Sequence, residues 1–166
     1  MTLKTSFPPV VAADTQLLIL GSLPGEASLA ARRYYAHPQN QFWALMAPVV
    51  GRDLPGLPYE ARIEALLAAR VGLWDVVATA RRQGSSDAAI RDVTGNDVAA
   101  LAASLPQLRA IGFNGGTALR HGLRQLGSAA AGYVILPLPS SSPLHTIGIS
   151  GKADAWSALR GHLTCS

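Results

Sequence analysis

A single cysteine, Cys165, occurs among the 166 residues of this chain. One thiol cannot close an internal disulfide, hold an iron–sulfur cluster or build a cysteine-based zinc site. The four histidines, His37, His121, His145 and His162, include no His-x-x-x-His pair, so no metal is expected. Charged residues make up only 14% against 49% hydrophobic, which excludes a disordered polymer. No apolar run approaches the roughly 20 residues that cross a bilayer. The opening segment, Met1-Thr2-Leu3-Lys4-Thr5-Ser6-Phe7-Pro8-Pro9, lacks the apolar core of a secretory signal. A cytoplasmic protein with no membrane partner is expected. No Gly-x-Gly-x-x-Gly follows the first apolar run, which argues against a Rossmann-type nucleotide site.

What is present fits one domain spanning residues 1–166, long enough to bury a proper core. The net charge is +4, and 12 of the 14 basic residues are arginine, whose planar fork suits phosphate. The pairs Arg32-Arg33 and Arg81-Arg82 adjoin segments expected near the site and are candidate contacts to a nucleic-acid backbone. Apolar runs at 16–20, 71–77, 108–113 and 133–138 read as strands, the second ending near Asp75. Helical spacing marks 41–50, 59–70, the stretch from Asn96 or Asp97 to about 105, the stretch after Asn114 to about 126, and 153–163. Residues 51–58, 84–94 and 139–151 read as loops. Strands separated by helices predict a parallel sheet covered on both faces, with its post-strand loops gathered at one edge. Those loops begin at Gly21, near Asp75, at Asn114 and at Pro139.

The richest stretch lies at the first of these loops. Leu17-Leu18-Ile19-Leu20 leads into Gly21-Ser22-Leu23-Pro24-Gly25, a tight turn at the edge where open α/β sheets bind ligands. Tyr34-Tyr35-Ala36-His37-Pro38-Gln39-Asn40-Gln41-Phe42-Trp43 follows. Aromatics, an imidazole and an amide packed into ten residues suit a flat polar ring, as in a nucleobase pocket.

In motif order the chain resembles the uracil-DNA glycosylase superfamily, most closely its hypoxanthine (deoxyinosine) DNA glycosylase branch. The motifs are residues 21–25, Tyr35-Ala36-His37-Pro38-x-Asn40-x-Phe42-Trp43, Gly72-Leu73-Trp74-Asp75-Val76-Val77, Phe113-Asn114-Gly115, and Leu138-Pro139-Ser140-Ser141-Ser142-Pro143. The resemblance implies a three-layer α/β/α fold around a four-stranded parallel sheet. It also implies flipping and hydrolytic removal of a deaminated base from DNA, with no lyase step, no cofactor and a monomeric enzyme. Two departures set the branch apart. Leu23 stands where many relatives carry a water-handling Asp, Asn or Glu, and Leu138 stands where a base-contacting His is common.

That resemblance assigns roles that the residues alone leave open. Asn40 is a candidate to hold the attacking water, accepting from it while donating elsewhere, or simply to cap the helix beginning at Gln41. Tyr35 is placed to stack on the flipped base, or to pack. Asp75 is expected to accept the N1–H of hypoxanthine, to bind water, or to cap a turn. Asn114 and the N–H groups of Gly21, Ser22, Leu23 and Gly25, around Pro24, are candidate donors to the leaving purine, although Asn114 also suits a left-handed turn. Ser140, Ser141, Ser142 and Pro143 are expected to meet the DNA backbone, and Leu144 to wedge into the gap left by the base, while His37 and His145 are candidates to meet phosphate or base, or simply surface or helix-capping residues. Phe42, Trp43, Trp74 and Tyr34 read as packing residues. Two rivals fit the same residues: excision of uracil or xanthine, and a non-catalytic DNA-binding relative.

Overall fold

Each buried strand reads as an unbroken apolar run because both of its faces are covered. The computed structural model describes residues 3–143 and 148–164, so Leu144, His145 and Cys165 lie outside it. Strands β1 (Leu3–Thr5), β2 (Leu17–Gly21), β3 (Val71–Asp75), β4 (Val77–Arg81), β5 (Arg91–Gly95), β6 (Ala110–Asn114) and β7 (Val134–Leu138) are joined by helices α1 (Glu26–Ala31), α2 (Phe42–Val50), α3 (Tyr59–Ala68), α4 (Val98–Ala103), α5 (Gly116–Leu126) and α6 (Ala153–Ser157). The central sheet is parallel, in the order β3-β2-β6-β7. Along β2 the side chains alternate between two cores. Leu17 and Ile19 pack with Phe42, Met46, Leu66 and Trp156 on one face. Leu18 and Leu20 pack with Val98, Ala102, Ala118 and Leu126 on the other. This is the three-layer α/β/α arrangement. Pro137, which has no N–H to give a ladder, sits in the edge strand β7.

The register aligns the strand ends. Gly21 lies opposite Asp75, and Asn114 opposite Leu138, so the loops that follow converge at one edge. Among the described residues no helix is long and apolar enough to cross a membrane.

The strand expected from residue 71 ends at Asp75 as read, and Val77 opens β4, which belongs to a separate antiparallel sheet of order β1-β4-β5. Two expectations are corrected. Residues 84–94, expected as loop, contain a 3-10 turn (Asp87–Ala89) and most of β5. The closing helix is shorter than expected, with α6 passing into a 3-10 turn at Ala158–His162. In addition α1, for which the sequence reading has no counterpart, follows the first loop directly.

Candidate active site

A cavity of about 210 Å³ opens where the strand ends converge. Residues 21–25 form one wall, Tyr35, His37 and Asn40 a second, and Ser140, Ser141, Ser142 and Pro143 a third, with Asp75 and Asn114 between them. Four loops distant in sequence therefore meet around one cavity.

Its floor is the end of β3. Asp75 is 4% exposed, and its Oδ2 is fully buried with no hydrogen-bond partner among the described residues. Burial first, and then the nearby Asp87 carboxylate, push the Asp75 carboxyl up to about 7, while Arg82 pulls the other way. Room for this carboxyl comes from Gly21. A Cβ there would lie 2.6 Å from Asp75 Oδ1 and 3.2 Å from the Tyr35 hydroxyl. Asp75 does not cap a turn with its side chain; its backbone carbonyl accepts from Asn96 Nδ2 at 2.7 Å.

Tyr35 stands over this floor with a left-handed backbone, φ 55°. One ring face is covered by Phe42, centroid to centroid 3.9 Å and nearly parallel, and Trp43 Nε1 donates to its carbonyl at 3.2 Å. Burial, followed by the Asp75 charge, raises its phenol well above the ordinary value, so the hydroxyl stays protonated. Tyr34 is structural: it is buried, and its hydroxyl donates to the Pro8 carbonyl at 2.9 Å. Phe42 and Trp43 are buried in the core beneath it.

The two asparagines are linked through Ser141. Ser141 N donates to Asn114 Oδ1 at 2.8 Å, which turns the Asn114 NH2 toward Ser141 Oγ at 2.9 Å and Tyr35 Oη at 3.3 Å. Ser141 Oγ in turn donates to Asn40 Oδ1 at 2.9 Å, and the Phe42 N–H donates to the same oxygen, also at 2.9 Å. Asn40 thus supports the start of α2, and both lone pairs of its oxygen are engaged. The left-handed position after β6 belongs to Gly115, φ 95°, and not to Asn114. Ser141 is only 1% exposed, so its hydroxyl does not face solvent as a phosphate-gripping loop requires. Ser140 and Ser142 are half-buried, and exposed His37 accepts from the Gln39 N–H through Nδ1 at 3.1 Å.

Asp87 escaped the sequence reading. It lines the cavity, and its Oδ1 accepts a 2.6 Å hydrogen bond from Ser22 Oγ, 65 residues away. Burial raises its carboxyl, and the Ser22 bond and Arg82 oppose the rise. Arg82 is not a DNA contact: it is 1% exposed, and its guanidinium donates to the carbonyls of Leu23, Pro24 and Gly84. It ties the first loop to the segment that carries Asp87. Arg81 is exposed and pairs with Asp92 at 3.7 Å, while Arg33 lies over the Tyr59 ring and 3.9 Å from Glu60. Lys152 is buried, its Nζ donating to the Ser142 carbonyl at 3.3 Å, so it braces the third wall.

Residues 8–160 match the model of the uracil DNA glycosylase superfamily. The chain is 37% identical over 153 residues to a protein of Methanosarcina barkeri (strain Fusaro / DSM 804) named hypoxanthine DNA glycosylase, covering 92% of this chain and 95% of that one. A second protein of that name, from Methanosarcina acetivorans, is 37% identical over 160 residues, covering 96% and 99%. The fold superimposes on the solution NMR structure of a Methanosarcina acetivorans protein, with a TM-score of 0.84 and 37% identity over 97% of this chain and 98% of that one. With that match covering both the sheet and the loops at its edge, the chain belongs to the uracil DNA glycosylase superfamily.

Proposed function

We propose that this protein excises hypoxanthine from deoxyinosine in DNA, by hydrolysis and without a lyase step. The observation that carries the reading is the unpartnered Asp75 Oδ2 at the floor of a cavity walled by an aromatic ring. Hypoxanthine presents a lactam edge, N1–H beside the C6 carbonyl. A neutral Asp75 carboxyl matches it with two hydrogen bonds, accepting from N1–H and donating to O6. Ionised, Asp75 still accepts from N1–H but repels the N1 lone pair of adenine. Names of the two relatives point to the same base.

In this reading the free face of Tyr35 stacks on the flipped base, and the amides of the first loop meet the leaving purine anion as charge develops. The Asn40 NH2 holds the water below C1′. Water oxygen bonds to C1′ as the C1′–N9 bond breaks, and the released proton passes to the Asp87 carboxyl group, which lines the same cavity. The chain has only two lysines, Lys4 and Lys152, and neither lines the cavity, which favours hydrolysis over an imine-forming lyase. DNA carrying a deaminated base is the partner, and the enzyme acts as a monomer in the cytoplasm. The half-buried serines Ser140 and Ser142, with Pro143 and exposed His37, meet the flanking backbone.

The test is alkali-developed strand cleavage of oligonucleotides carrying one deoxyinosine, deoxyxanthosine or deoxyuridine, run with wild type and Asn40→Ala. Cleavage at deoxyinosine that falls by roughly 100-fold or more in the variant, with DNA affinity unchanged, is expected. Preferential cleavage at deoxyuridine overturns the substrate, and no cleavage of any lesion with binding intact overturns the enzyme.

A further inference from the structure

We infer that Ser141 is a positioning residue, which fixes Asn40 as a hydrogen-bond donor to the cavity and holds Asn114 in register with it. The inference rests on the excision reaction proposed above, and it explains why Asn40 offers its NH2 there.

Assignment of the two amides follows from their partners and leaves no choice of orientation. A backbone N–H can only donate, so the atom of Asn40 that meets Phe42 N at 2.9 Å is the oxygen. By the same logic the atom of Asn114 that meets Ser141 N at 2.8 Å is its oxygen. The Asn114 NH2 therefore points at Ser141 Oγ. Because Ser141 Oγ accepts there, its own hydrogen is directed to Asn40 Oδ1. A direction runs along the chain of bonds, from Asn114 through Ser141 to Asn40. The backbone reinforces it, since Gln41 N donates to the Ser141 carbonyl at 3.0 Å and ties the third wall to the start of α2.

Asn40 Oδ1 thus meets two donors, the full complement of its lone pairs. Its NH2 has no protein partner among the described residues, and Asn40 lines the cavity. Rotating the amide by half a turn would set its NH2 against two donors. Asn40 is consequently locked to present N–H, and what it holds must offer a lone pair: the oxygen of the attacking water. It cannot take that water's proton. The lock is the hydroxyl of Ser141, a residue only 1% exposed.

The experiment compares wild type, Ser141→Ala and Ser141→Thr, each with and without Asn40→Ala, in single-turnover excision on whichever lesion the wild type cleaves. Ser141→Ala should lower the single-turnover rate by 10- to 100-fold, leaving DNA affinity and its salt dependence unchanged. Ser141→Thr, which keeps the hydroxyl, should recover most of the rate. In the Asn40→Ala background Ser141→Ala should cost less than 3-fold, because the group it positions is gone. Hydrogen exchange of the Asn114 side-chain NH2 should quicken at least 10-fold in Ser141→Ala, a readout independent of excision. If the wild type cleaves no lesion, the proposed reaction fails, while the exchange measurement still decides the role of Ser141. Weakened DNA binding with an unchanged rate would make Ser141 a backbone contact. Equal losses in both backgrounds, or unaltered exchange, would make it a packing residue only.

Discussion

Replacing Asp75 with asparagine tests the floor of the cavity directly, through stability instead of activity. Folded Asp75 holds its proton up to a pH of about 7, against an ordinary 3.8. Between those values the folded chain carries a proton that the unfolded chain has lost. Stability therefore falls as pH rises from about 4 to about 7, and levels off above. A shift of about three units corresponds to about 4 kcal/mol of penalty at pH 8, at about 1.36 kcal/mol per unit. At pH 5 the penalty is already about 1–2 kcal/mol, because the unfolded carboxyl is mostly ionised there. The pH-dependent part between pH 5 and pH 8 is thus about 2–3 kcal/mol. The amide introduced by Asp75→Asn does not titrate, so the variant should gain that much on wild type across the interval. For a chain of this size that is a difference in melting temperature on the order of 8 °C, growing with pH. Urea unfolding and thermal melts at pH 5, 6, 7 and 8 provide the comparison. Parallel pH profiles for the two proteins would mean that Asp75 is ionised throughout, and the neutral carboxyl invoked for base recognition would have to be abandoned.

Two other perturbations probe the same floor. Asp87→Asn removes a charge that raises Asp75, so the carbon-13 titration midpoint of the Asp75 carboxyl should move to lower pH. A midpoint that stays put, or rises, would separate the two carboxylates. Gly21→Ala puts a methyl 2.6 Å from Asp75 Oδ1, and overpacking of this kind costs about 1–3 kcal/mol. The variant should melt several degrees lower and lose excision; full activity at an unchanged melting temperature would show that the floor yields.

The parallel sheet was legible because β2, β3 and β6 are apolar runs buried on both faces, as at Leu17, Leu18, Ile19 and Leu20. The second sheet carries no such signal. All five residues of β5 are exposed, with no alternation to mark a strand, and β4 pairs with it through shifts in register. Asp87 was hidden for a related reason: a lone carboxylate in a polar stretch gains meaning only from Ser22, which the fold brings to it. Arg82 did leave a trace. Ala80 and Arg82 are buried and Arg81 is exposed, so the alternation of side chains at the end of β4 turns one arginine of the pair inward. Reading the pair as two equivalent surface charges overlooked that alternation. The roles of Asn40 and Ser141 needed coordinates, because donor and acceptor directions follow from who faces whom.

The small antiparallel sheet also makes the two ends of the chain unequal as handles. Leu3, Lys4 and Thr5 pair with β4, and Lys4 forms a 2.7 Å ion pair with Glu26, whose backbone N–H donates to Ser85 Oγ at 2.9 Å. Glu26 and Ser85 both line the cavity. At the other end of the parallel strands, Thr164 is held by the side chain of Gln16, just ahead of β2. A fluorophore or affinity tag attached ahead of residue 3 would therefore sit on the strand that steadies a cavity wall, whereas one attached beyond residue 164 would hang from the opposite rim. Tethering the protein to a surface by its carboxyl end leaves the cavity facing outward, ready to meet a long DNA.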